Sequence, residues 1–242
     1  MRDWLIARPI AHRGLHEAAA GIIENTPLAF RAAIDGGYAI ECDLQVSADG
    51  EAMVHHDAAL GRLTDGAGRL DALPAAALRR VPFRATADAM LTLGELCDLV
   101  AGRVALVIEL KTNAVYNERL AARAAAVLGG YKGPAALMSF DPRLVAATRR
   151  LAPALPRGLV AQRRAAYDPD DPPMPAATYA RLAFAARPQF LAYRVADLAT
   201  APPLIARHLL RWPVLTWTVR SAEDRARAAR HADQMIFEGF RP

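Results

Sequence analysis

YAIECDLQVSADGEAMVHHD, residues 38–57, carries two acids one residue apart, an Asp-Gly turn, then two histidines and a third acid. Side chains alternate across a strand. Over Tyr38–Val46, Ile40, Cys42 and Leu44 therefore share one face, and Glu41, Asp43 and Gln45 the other. Ala52–Asp57 reads as a second strand, and Asp49-Gly50 between the two is a strong hairpin signal. Folding that hairpin returns His56 to about the level of Asp43. One or two charges solubilise a strand; this many titratable groups imply convergence.

Outward from this stretch, short apolar runs alternate with helical segments. The other candidate strands are Leu5–His12, Val104–Lys111, Ala135–Phe140, Arg157–Ala161, Gln189–Arg194, Val214–Val219 and Gln234–Glu238. Helix punctuation separates them. Thr26-Pro27 offers a cap and a proline at the first helical position, and Gly36-Gly37 closes that helix. Thr92 and Glu95 have capping-box spacing, Asp141-Pro142 opens a helix, Gly129-Gly130 ends one, and Ser221 caps the last. With the hairpin strand set aside, eight strands alternate with helices, which predicts an α/β fold of the TIM (β/α)8 barrel class. A doubly wound sheet is disfavoured, because no Gly-rich phosphate-binding turn follows an early strand. Ala58–Leu91 reads as a small insertion on the rim, with a short helix near Pro74, and residues 1–242 as one barrel domain. Tyr167–Pro175 is expected to be an extended loop.

The 242 residues suffice for a large core, and the net charge of +5 (pI about 9.6) is scattered rather than clustered. Without basic runs or zinc-finger spacing, nucleic-acid binding is not expected. Cys42 and Cys97 are too few for a disulfide framework. With no secretory leader and no apolar run near about 18 residues, no membrane insertion is expected and a cytoplasmic location is.

In a barrel, Glu41 and Asp43 point inward about 7 Å apart and are expensive to ionise without a cation. Glu109 and Lys111 share a face of Val104–Lys111, adding a third inward carboxylate, although the two could simply be a buried ion pair. Carboxylates without thiols suit one divalent cation, Mg2+ or Ca2+. His12 ends the first strand, where barrel chemistry resides. Arg13 beside it can grip phosphate or carboxylate. Alternation lets only one of His55 and His56 face the site, and spacing does not say which. Trp217 faces inward, as a wall for substrate or as core.

The runs AHRG, ENTPLAFRAAIDGGY, IECDLQVSADGEAMVHHD and IELK, in this order, resemble the glycerophosphodiester phosphodiesterase family. MSF at 138–140 and LTWTV at 215–219 extend the likeness more loosely. The resemblance implies a barrel with a small insertion after the His-Asp strand. It implies Glu41, Asp43 and Glu109 as metal ligands, and His12 and His56 as the acid-base pair. Arg13 and Lys111 would hold phosphate, and Glu24 would be metal-associated or orient Arg13 or His12. The implied reaction is hydrolysis of a small-molecule glycerophosphodiester to sn-glycerol 3-phosphate and an alcohol. A lyase releasing a cyclic phosphate, or a silent binding barrel for anions, are the rivals. Two positions depart from the family pattern, Arg220-Ser221 after LTWTV and Glu238-Gly239 at the last strand; neither is expected to touch the metal or acid-base residues, and both bear on the pocket rim more than on the chemistry.

Overall fold

The computed structural model describes residues 3–112, 116–166 and 174–242. Its strands are β1 (Ile10–Ala11), β2 (Ala39–Val46), β3 (Ala52–Val54), β4 (Leu106–Leu110), β5 (Ala135–Ser139), β6 (Arg157–Ala161), β7 (Phe190–Arg194), β8 (Val214–Val219) and β9 (Gln234–Phe237). All but β3 run parallel in the order β2-β4-β5-β6-β7-β8-β9-β1, and pairing of β1 with β2 closes the ring. This is the eight-stranded TIM barrel. Around it lie α1 (Pro27–Asp35), α2 (Ala75–Leu78), α3 (Leu93–Val100), α4 (Glu118–Gly130), α5 (Pro142–Leu151), α6 (Ala176–Ala186), α7 (Ala201–Leu204) and α8 (Ala222–His231).

Local punctuation sets most boundaries. Thr92 and Glu95 form the capping box of α3, Asp141 accepts from Arg143 N at the start of α5, and Ser221 accepts from Asp224 N in α8. Thr26 is an exception. Its hydroxyl donates to Ile23 O at 2.8 Å instead of capping α1, so Pro27 alone supplies the start signal. Of the extended loop expected at Tyr167–Pro175, residues 167–173 lie outside the described part.

Strand alternation sorts the core. Ile40, Cys42, Leu44, Ile108 and Leu110 pack outward beneath the helices, against residues such as Phe30, Leu96 and Leu120. Val107, Met138, Val160, Phe190, Leu215 and Ile236 fill the barrel's interior. Residues 58–91 bury Leu60, Leu70, Leu78, Phe83 and Met90 against Ile23 and Met53, in a cluster apart from both.

The first strand corrects an expectation. Leu5–His12 is extended only at Ile10–Ala11, and a 3-10 turn occupies Asp3–Leu5. The reason is burial: Leu5, with Trp4 and Ile6, packs against the interior residues and closes the floor of the barrel. The short β1 also frees an edge. On β2 it pairs only with Ala39 and Ile40, whereas β3 takes the far end of the same edge at Leu44–Val46. Glu41 to Asp43 lie between, and the turns after β1 and β3 converge on that gap.

Candidate active site

Three carboxylates line the barrel mouth. Glu41 and Asp43 come from β2 and Glu109 from β4, in direct register with Asp43. One oxygen from each lies within 4.8 Å of the others. Burial pushes the Glu41 carboxyl well above the usual carboxylate range, and Asp43 and Glu109 push it further. Burial acts likewise on Asp43, but Lys111 and Arg13 outweigh it and hold that carboxyl low. Burial also raises Glu109, against the pull of Lys111. Lys111 Nζ lies 2.9 Å from Glu109 and 3.5 Å from Asp43, so the ion-pair reading and the inward-cluster reading both describe it. Like charges this close, offering oxygen donors only, form a set that can hold a divalent cation.

His12 stands beside them. The chain leaves β1 through Arg13 at φ 55° and Gly14 at φ 79°. A side chain at Gly14 would meet the Ala29 backbone at 2.8 Å, so glycine is required there. This turn aims Arg13 N at Glu41 Oε2 (2.9 Å) and the Arg13 guanidinium at Asp43 (3.2 Å) and Glu24 (2.7 Å). His12 Nε2 lies 3.9 Å from Glu41 Oε2, and Nδ1 lies 2.5 Å from Glu238 Oε2.

The hairpin supplies the second histidine. His55 N donates to Asp43 O, but its ring is buried and tilts against Phe83 with centroids 6.4 Å apart. His56 is the one that lines the cavity, and its Nδ1 lies 2.7 Å from Asp57 Oδ1. Although burial raises it, Asp57 is held down at about 2 by Arg62 and His56. Glu238 is likewise held low by His12, His16 and Arg220 against the effect of burial. An ionised carboxylate can only accept, so Nδ1 of each histidine is the donor. Each neutral ring then presents a free Nε2. Burial is the largest influence on both rings and lowers both below 6.5.

The cavity they share measures about 520 Å³ and is also lined by Arg13, Lys111, Phe140, Arg194, Trp217 and Arg220. Trp217 lies edge-on to Phe140, with centroids 5.5 Å apart. The β8–β9 register shifts between Thr216 and Val219, and Trp217 and Thr218 both border the cavity. Glu24 lies apart from the three clustered carboxylates, bridging Arg13 and Arg62.

The sequence profile of the Glycerophosphoryl diester phosphodiesterase family matches residues 12–238. The chain belongs to that family. This member is 31% identical over 175 residues to "Probable glycerophosphodiester phosphodiesterase 1" of Mycobacterium tuberculosis, across 62% of this chain and 63% of that protein. It thus spans slightly under two thirds of that relative's length. A solved Silicibacter pomeroyi structure assigned as a glycerophosphoryl diester phosphodiesterase superposes with a TM-score of 0.77 at 26% identity, covering 95% of this chain and 89% of that one. An Oleispira antarctica phosphodiesterase, solved with the product sn-glycerol-3-phosphate, shares the fold at a TM-score of 0.77 and 22% identity, with coverage of 95% and 91%.

All nine residues singled out in the sequence lie in or beside this cavity, but four partners were missed as such. Asn25 donates to Asp43 Oδ2 at 3.0 Å, and Arg62 clamps Asp57 at 2.6 Å. Glu238 and Arg220, expected above not to touch the acid-base residues, are in fact joined to His12: Glu238 Oε2 meets His12 Nδ1, and Arg220 Nε lies 2.5 Å from Glu238 Oε1. Glu238 directly follows a barrel strand, where a polar residue signals chemistry; Arg62 carries no such signal.

Proposed function

We propose that the chain hydrolyses glycerophosphodiesters to sn-glycerol 3-phosphate and an alcohol. The observation that carries this reading is the convergence of His12 and His56, each held through Nδ1 by a carboxylate, on one cavity that also holds the acids Glu41, Asp43 and Glu109 and the cations Arg13 and Lys111. Glu41, Asp43 and Glu109 would hold one divalent cation, Mg2+ or Ca2+, which supplies Lewis-acid stabilisation of the phosphodiester's developing charge. Arg13 and Lys111 add fixed positive charge for the phosphate. One histidine takes the proton of the attacking hydroxyl at Nε2 while the other gives a proton to the departing oxygen. Trp217 is a wall for the glycerol end. Glu24 holds Arg13 rather than the cation. At about 520 Å³ the cavity suits a small molecule.

We read residues 1–242 as one domain, with 58–91 as its rim insertion. Among the described residues no helix is long and apolar enough to cross a membrane. Both cysteines are buried free thiols, which supports a reducing, cytoplasmic setting.

Phosphorus NMR of the protein with glycerophosphocholine tests the reaction. A glycerol phosphate monoester is expected with Mg2+ or Ca2+ and not with excess chelator. A cyclic phosphate that persists would replace hydrolysis by the lyase reaction; silence across a panel of diesters would favour a binding barrel.

Glu238 has its own test. Glu238→Gln keeps the size but removes the charge that fixes the His12 tautomer, and kcat is expected to fall about 10–100-fold, the range for losing a partner that orients a working imidazole. KM should barely move, and Glu238→Asp should recover part of kcat. An unchanged kcat in Glu238→Gln would remove Glu238 from this role.

A further inference from the structure

His16 meets the arrangement proposed above only through Glu238. It follows the Arg13-Gly14 turn, and its Nε2 is buried without a hydrogen-bond partner. Glu238 Oε2 is 3.6 Å away, beyond hydrogen-bonding distance. A buried ring nitrogen left in this way calls for an explanation. The same carboxylate oxygen already holds His12 Nδ1, so two imidazole nitrogens face one carboxylate. Ligand atoms of His12, His16 and Glu238 all lie within 4.8 Å of one another.

This donor set differs in kind from the acidic one. Two imidazoles and one carboxylate suit a four-coordinate ion of the zinc class, whereas three carboxylates suit a hard ion. Bonds of about 2.0–2.1 Å put neighbouring ligands of a tetrahedral zinc roughly 3.3 Å apart. The Glu238–His16 separation is already near that, and the Glu238–His12 separation of 2.5 Å must open by a little under ~1 Å. Arg220 pairs with the other oxygen, Oε1, and leaves Oε2 available. A neighbouring cavity of about 560 Å³, bordered by Leu15, His16, Arg220, Glu238 and Phe240, gives an approach and room for a fourth ligand.

We infer that His12 Nδ1, His16 Nε2 and Glu238 form a second site, for a zinc-class transition ion, and that filling it stops turnover. The ion takes the Nδ1 lone pair, so the proton that Nδ1 gives to Glu238 must leave it. In the neutral ring that hydrogen moves through solvent to Nε2, with no net proton released. His12 then has no free nitrogen toward the cavity and cannot accept a proton there. Binding stands on this geometry alone, while the loss of turnover rests on the proposed role of His12.

Co2+ serves as the probe, titrated into the full chain with Mg2+ saturating. One further equivalent is expected to develop the strong visible absorption of four-coordinate Co2+, which a six-coordinate ion among the carboxylates does not give, and Zn2+ should displace it. His16→Ala is expected to weaken this binding about tenfold or more and to relieve inhibition by Zn2+. His16→Asn, similar in size and polar, should behave the same way, and far-UV circular dichroism must show the variant that is scored to be folded. An absorption band unaffected by both variants, or no four-coordinate band in the wild type, overturns the site. A band that depends on His16 in a protein without phosphodiesterase activity would keep the site and reject the reaction.

Discussion

Replacing either His12 or His56 with alanine is expected to lower kcat by about 10²–10⁴-fold, with KM little changed. The split between the two constants follows from what each ring does. In the proposed reaction Arg13 and Lys111 hold the phosphate, so the loss falls on proton transfer. The pH profile has a definite sign. Burial lowers both rings below 6.5, so each becomes neutral at a lower pH than a free imidazole. The neutral form needed for the base therefore persists as the solution is acidified, and the acid limb of kcat/KM lies below pH 6.5. A divalent cation beside His12 would push it in the same direction. Added imidazole should restore part of the activity of an alanine variant. Near-wild-type kcat in both variants would show that proton transfer runs through other groups.

Glu41→Gln and Asp43→Asn, the same chemical change two residues apart, are expected to move stability in opposite directions. In metal-free protein the Glu41 carboxyl is buried among like charges, so neutralising it relieves repulsion. A gain of about 1 kcal/mol, or roughly 2–4 °C in Tm for a chain of this size, is expected. Asp43 instead anchors Lys111 and Arg13, and its loss leaves two buried cations short of a partner. That change should destabilise by about 3 kcal/mol. Linkage gives the matching pH dependence. The folded-state value of Glu41 is raised, so the metal-free protein gains stability from this group as pH falls through that raised value toward 4.5. Asp43 is lowered, so its contribution is present above 3.8 and lost as pH falls below it. Saturation with Mg2+ or Ca2+ should abolish the Glu41 effect by keeping the carboxylate ionised. Both variants should lose metal-dependent turnover. Thermal scans of the three proteins with and without chelator check this, and equal shifts for both variants would contradict the assignment.

The readable parts of the site were those governed by short-range geometry. The period of two in β2 assigns Glu41 and Asp43 to the interior and Cys42 to the helix side, and the structure keeps that division. Asp49-Gly50 folds the hairpin, which brings His55 opposite Asp43 and His56 next to it without reference to any other strand. Capping at Thr92, Asp141 and Ser221 is likewise complete within four residues. The choice of His56 over His55 came from resemblance, because alternation excludes one of two adjacent side chains without naming it.

The sequence by itself thus determined the barrel, the inward acids and the hairpin that carries His56 into position. Each follows from a pattern confined to one strand, one turn or one helix start. Only the tertiary structure decided the partners. Glu238 reaches His12 because ring closure sets β9 beside β1 across 226 residues of chain. Arg62 reaches Glu24 and Asp57 through the packing of residues 58–91. The opposed titration of Glu41 and Asp43 depends on where Lys111 and Arg13 come to rest. Charge interactions fall off with distance in space rather than along the chain, so they are set only when distant segments have packed.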